Sequence, residues 1–135
     1  GIEDVDFTET TINSINAKVN VINSQGNIEV QNTNGKIDIK NTNGDLTVDN
    51  VNGSIYLANI SGDKAEIDAV SGNIRVDGLN TKTLLADTDS GNIRVYNIKD
   101  SEKMDLNSGF GNIVIDSESY TGDIKADVYG KINLR

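Results

Sequence analysis

Asn34-Gly35-Lys36-Ile37-Asp38-Ile39-Lys40-Asn41 is the stretch whose reading decides the fold. An Asn-Gly turn signal precedes an apolar–polar–apolar triplet, and strict alternation of that kind marks a half-buried strand. The glycine recurs at 26, 35, 44, 53 and 62. Ile28-Glu29-Val30, Leu46-Thr47-Val48 and Ile55-Tyr56-Leu57 repeat the triplet. A fixed period is therefore the first property to explain.

Two readings of the period compete. A meander of hairpins with Asn-Gly turns makes all nine-residue units equivalent. Here alternate units diverge. One series keeps its glycine at 35, 53, 72, 91, 111 and 130, in steps of 18, 19, 19, 20 and 19, and Ala17-Lys-Val-Asn-Val extends it backward. The interleaved series begins at Gly26 and Gly44, loses its glycine as Lys64-Ala-Glu-Ile, Thr83-Leu-Leu-Ala and Lys103-Met-Asp-Leu, and regains it at Gly122. The regular unit is thus a coil of 18–20 residues holding two main strands.

This predicts an all-β fold, a single-stranded right-handed parallel β-helix (β-solenoid), the hand following the preference of parallel crossovers. Residues 1–16 read as a lead-in or N-terminal cap and 17–135 as the solenoid domain. The inward columns expected are Val19, Ile37, Ile55, Ile74, Ile93, Ile113, Ile132 and, two residues on, Val21 through Leu134. The second series contributes Ile28, Leu46, Ala65, Leu84, Met104, Ile124 and Val30 through Ala126. Ile60, Leu79 and Ile98 are expected to fill a turn. Strands stacked about 4.8 Å apart make a rod roughly 30 Å long from six to seven coils.

Composition narrows the function. With 12 basic and 21 acidic residues the net charge is −9, which disfavours nucleic acid and anionic membrane surfaces as partners. The chain has no Cys and no His, so the usual zinc, haem and iron–sulfur ligand sets are missing and no cofactor is expected. No apolar run approaches the roughly 20 residues of a membrane span.

Val-Ser-Gly-Asn-Ile-Arg-Val (70–76), Asp-Ser-Gly-Asn-Ile-Arg-Val (89–95) and Val-Asn-Gly-Ser-Ile-Tyr-Leu (51–57) resemble the Ser-Gly-Asp/Asn-Ile repeats of a bacterial adhesin-type domain family of unknown function. The resemblance covers about residues 17–135. It implies a right-handed β-helix standing outside the cytoplasm behind a membrane anchor, and it carries over no catalytic residue.

The outward columns supply the binding candidates. Asp38, Tyr56, Arg75, Arg94, Val114 and Asn133 stack on one line; Lys40, Ala58, Asp77, Tyr96 and Asp116 run beside it. Tyr56, Arg75, Arg94 and Tyr96 could hold an acidic glycan or a protein surface through bidentate and stacking contacts. The plainer reading is a solvated face on which Asp77 and Asp116 offset the arginines. A third column, Gln31, Asp49, Asp68, Asp87, Asn107 and Asp127, could bridge to calcium, but Gly-Gly-x-Gly-x-Asp is absent, and turn-opening aspartates accepting backbone N–H groups are expected instead. The competing class is a polysaccharide-active enzyme using Arg75, Asp77 and Arg94, or an accessory carbohydrate-binding module; the chain offers no nucleophile–base pair. The reading is a non-catalytic surface or envelope interaction domain. Self-association is expected through the terminal strand around Lys131–Leu134.

Overall fold

The computed structural model describes residues 2–3, 6–99, 101–117, 120 and 122–135, so residues 1, 4 and 5 of the lead-in lie outside the described residues. The strands are β1 (Ile2–Glu3), β2 (Asp6–Asn16), β3 (Val19–Asn34), β4 (Ile37–Asn43), β5 (Leu46–Asn52), β6 (Ile55–Ser71), β7 (Ile74–Ser90), β8 (Ile93–Ile98), β9 (Lys103–Asp116) and β10 (Asp123–Leu134). Every pairing among the described strands is parallel. Partners lie one coil apart: Ile37 on Ile55, Ile55 on Ile74 and Ile93 on Ile113. The fold is a parallel β-solenoid of about six coils.

Alternation sends Ile, Val and Leu inward because successive side chains of a strand point to opposite faces. The columns from Ile37 to Ile113 and from Leu46 to Met104 are buried, as are their companions two residues on. Ile60, Leu79 and Ile98 form a further buried column, continued upstream by the polar Thr42 and Ser24. The last coil differs from expectation. Ile124, Ile132 and Leu134 belong to inward columns by pattern, yet are 37, 45 and 62 % exposed. The physical reason is that β10 pairs with β9 on one edge and with no described strand on the other, so no described strand covers them.

The corners are built by glycine and asparagine. At Gly53, φ is +131° and an added Cβ would collide with the Gly35 carbonyl oxygen of the coil below, so only glycine lets consecutive coils close there. Asn23, Asn41, Asn59 and Asn97 take left-handed φ of 52–56°, which asparagine tolerates better than other side chains. Their amides form an exposed ladder: Asn41 Nδ2 donates to Asn23 Oδ1 at 2.9 Å and Asn59 Nδ2 to Asn41 Oδ1 at 3.0 Å. Asn32 and Asn50 point inward instead. Their Nδ2 groups donate to backbone carbonyls, Asn32 to Ala17 at 3.0 Å and Asn50 to Gly35 at 2.9 Å. Asn41 and Asn59 thus ladder on the outside, whereas Asn32 and Asn50 tie down the main chain of the glycine corner.

Candidate functional site

Parallel stacking converts sequence spacing into neighbours on one outward face. Asp38 pairs with Tyr56, Tyr56 with Arg75, and Arg75 with Arg94. In the adjacent outward column Asp77 pairs with Tyr96. Arg75 therefore lies between two rings, its Cζ 5.6 Å from the Tyr56 centroid and 5.3 Å from that of Tyr96. Both distances fall within cation–π range. Lys36 and Lys40 approach the Tyr56 ring at 5.7 and 5.6 Å.

Tyr56, Arg75 and Arg94 share a shallow cavity of about 300 Å³ with Lys36, Asn73 and Asn92. Tyr96 stands outside that cavity and approaches it at Arg75. Among the described residues neither arginine forms an ion pair. Asp77 forms no ion pair with either arginine; its Oδ1 accepts the Asn97 amide at 2.7 Å, and Asp116 lies in register with Tyr96. Lys40 holds Asp38, the carboxylate in register with Tyr56, at 3.8 Å. The face thus gathers Lys36, Lys40, Arg75 and Arg94 alongside Asp38, Asp77 and Asp116. Sequence reading missed Lys36, which follows the corner glycine one coil before Ser54; the signal was its place beside the Tyr56 column.

The carboxylate column stands elsewhere on the coil. Asp49, Asp68 and Asp87 are in register along β5, β6 and β7. The expectation that they accept turn N–H groups is corrected: no hydrogen bond from a described residue reaches these carboxylates, since they sit on the outward face of a strand rather than at its corner. That role belongs to the residue after the glycine. Asn27 accepts from Asp45 N, Asp45 from Lys64 N, Asn73 from Asn92 N and Asn92 from Asn112 N, at 2.9–3.1 Å. Partial burial, then the nearby Glu66 and Glu29, raises the Asp49 carboxyl above its ordinary range. Partial burial, then Asp49, Asp87 and Glu66, does the same to Asp68. No group of three or more acidic, His or Cys residues among the described residues is placed to hold a metal ion.

A family comparison decides the relationship. The family described as toastrack DUF4097 matches residues 46–135. The chain belongs to the toastrack DUF4097 family. The match takes in Tyr56, Arg75, Arg94 and Tyr96, and it leaves Lys36 upstream. No curated protein matches, and no solved structure matches. No helix among the described residues is long and apolar enough to cross a membrane.

Proposed function

We propose that this toastrack rod is a non-catalytic interaction domain of the cell envelope that binds anionic glycans across the Tyr56, Arg75, Arg94 and Tyr96 face. The observation that carries the reading is Arg75 held between two tyrosines, with Arg94 one coil above it and neither guanidinium engaged by a carboxylate. A planar guanidinium fixed in this way can present its free edge to a carboxylate or sulfate, while the rings offer sugar faces a stacking surface. Envelope placement is supported by the resemblance of the Ser-Gly-Asn-Ile repeats. The enzyme alternative is the less supported reading, since Asp77, the acid it would use, already accepts the Asn97 amide and has no nucleophile or base beside it in the pattern of the chain.

Titration with oligogalacturonate tests the face. The double variant Arg75→Ala with Arg94→Ala is expected to weaken binding by at least ~10-fold, because hydrogen bonds to charged groups contribute about 1.5–3 kcal/mol each. Added salt is expected to weaken the unmodified protein's binding steeply, since the charges lie in solvent. Undiminished binding by the double variant would remove the face from consideration.

A second surface is proposed for self-association. Phe110 and Tyr129 meet edge to face at 5.8 Å on the outside of β9 and β10, beside the exposed Ile132 and Leu134 and the open edge of β10. An open strand edge with apolar neighbours recruits a further strand. Sedimentation at rising concentration is expected to show association that Leu134→Lys abolishes. A strictly monomeric species at every concentration contradicts it.

A further inference from the structure

A broad groove of the rod lies away from the Tyr56, Arg75 and Arg94 face. It has a volume of about 1040 Å³ and runs along the axis where Asp49, Asp68 and Asp87 stand beside Val51 and Val70. Ile15, Thr33, Val51 and Val70 follow one another coil by coil. Ile15, Val51 and Val70 are 69, 42 and 48 % exposed, an apolar stripe that the rod itself leaves uncovered. None of Asp49, Asp68, Asp87 and Asp89 has an ion-pair partner among the described residues. The groove is therefore apolar along one side and negatively charged along the other.

The spacing selects what can lie in it. Coils repeat about every 4.8 Å along the axis. An extended strand placed along that axis offers same-face side chains about 6.8 Å apart, which falls out of step at once. An α-helix offers one turn every 5.4 Å, and over three coil steps the mismatch stays below about 2 Å. A helix of three to four turns with one apolar residue per turn thus meets Ile15, Thr33, Val51 and Val70 in succession. Lysine or arginine flanking its apolar line would face the carboxylate column.

We propose that this groove is a docking site for a basic amphipathic helix of a partner protein. Partial burial first, and neighbouring acids second, raise the carboxyls of Asp49 and Asp68, and an incoming cation would offset the second of these. The described residues contain no helix, so a second copy of these coils cannot supply the occupant. The inference is independent of glycan binding, because the two surfaces share no residue.

Fluorescence anisotropy with a labelled synthetic helix tests it. The probe carries leucine once per turn with lysine on both flanks. The controls are a scrambled peptide of the same composition and the same helix with glutamate for lysine. Val51→Ser with Val70→Ser, and separately Asp68→Asn with Asp87→Asn, are each expected to weaken binding by at least ~10-fold while the circular dichroism spectrum is unchanged. The scrambled and glutamate peptides are expected to bind worse than the probe to the unmodified protein, an arm that needs no variant. Equal binding of the scrambled peptide would show charge attraction alone and overturn the site. So would full affinity in either double variant. Saturable calcium binding lost in Asp68→Asn with Asp87→Asn would reassign the column to a cation, and self-association lost in Val51→Ser with Val70→Ser would reassign the stripe to a second copy.

Discussion

At Ile93 and Arg94 two adjacent residues have opposite fates. Ile93 is fully buried in the first inward column, and Arg94 stands on the exposed face. Ile93→Asp places an unpaired charge among aliphatic side chains and is expected to cost more than about 4 kcal/mol or to prevent folding. Arg94→Ala is expected to change stability by less than about 0.5 kcal/mol. Urea denaturation measures both, and a reversal would mean that every side chain has been assigned to the wrong face. Alternation made this distinction legible in the sequence. The asparagines were less so, for a physical reason. Asn32 and Asn41 are the same residue type in the same repeat, but Asn41 takes left-handed φ and faces solvent while Asn32 turns inward to a glycine corner. Backbone conformation separates them, and residue type alone does not report it.

At the scale of strands, parallel stacking sets like against like. This builds the amide ladder, and it also places Asp49, Asp68 and Asp87 on neighbouring strands with nothing between them. The carboxyls of Asp49 and Asp68 are raised in the folded chain, by partial burial first and neighbouring acids second. As pH rises from the ordinary aspartate range through these raised values, the unfolded chain gives up its protons first. The folded state then binds more protons than the unfolded one, so this contribution to stability falls with rising pH and is lowest at neutrality. Asp68→Asn is accordingly expected to raise Tm at pH 7 by about 1–3 °C, a modest gain because the group is largely solvated. The difference should vanish well below the ordinary aspartate range. An unchanged or lower Tm at pH 7 would show that the column is neutralised by something not apparent in the fold. The sequence placed these acids in one column correctly but misjudged their bonding. Position relative to the corner glycine decides whether a side chain can reach the next coil's N–H: Asp45, directly after Gly44, does so, and Asp49, four residues further on, does not.

Over the whole molecule, coil stacking is what assembles the proposed sites. Tyr56, Arg75 and Arg94 are 19 residues apart in steps and come together only if each coil lies in register on the one before. The same stacking makes the helix-spaced stripe of Val51 and Val70. All of this rests on the coil as the repeating unit, and a chain without cysteine allows the unit to be measured. Ser71 and Ser90 are exposed and paired in register on β6 and β7. Replaced together by cysteine, they fall within the Cα separation of about 4.4–6.8 Å that a disulfide requires. In a meander of nine-residue hairpin units the same positions would lie two strands apart, roughly 10 Å, beyond reach. Oxidation of Ser71→Cys with Ser90→Cys, followed by peptide mass mapping, is predicted to give an intramolecular disulfide in nearly every folded monomer; free thiols in the folded monomer after oxidation would contradict the solenoid.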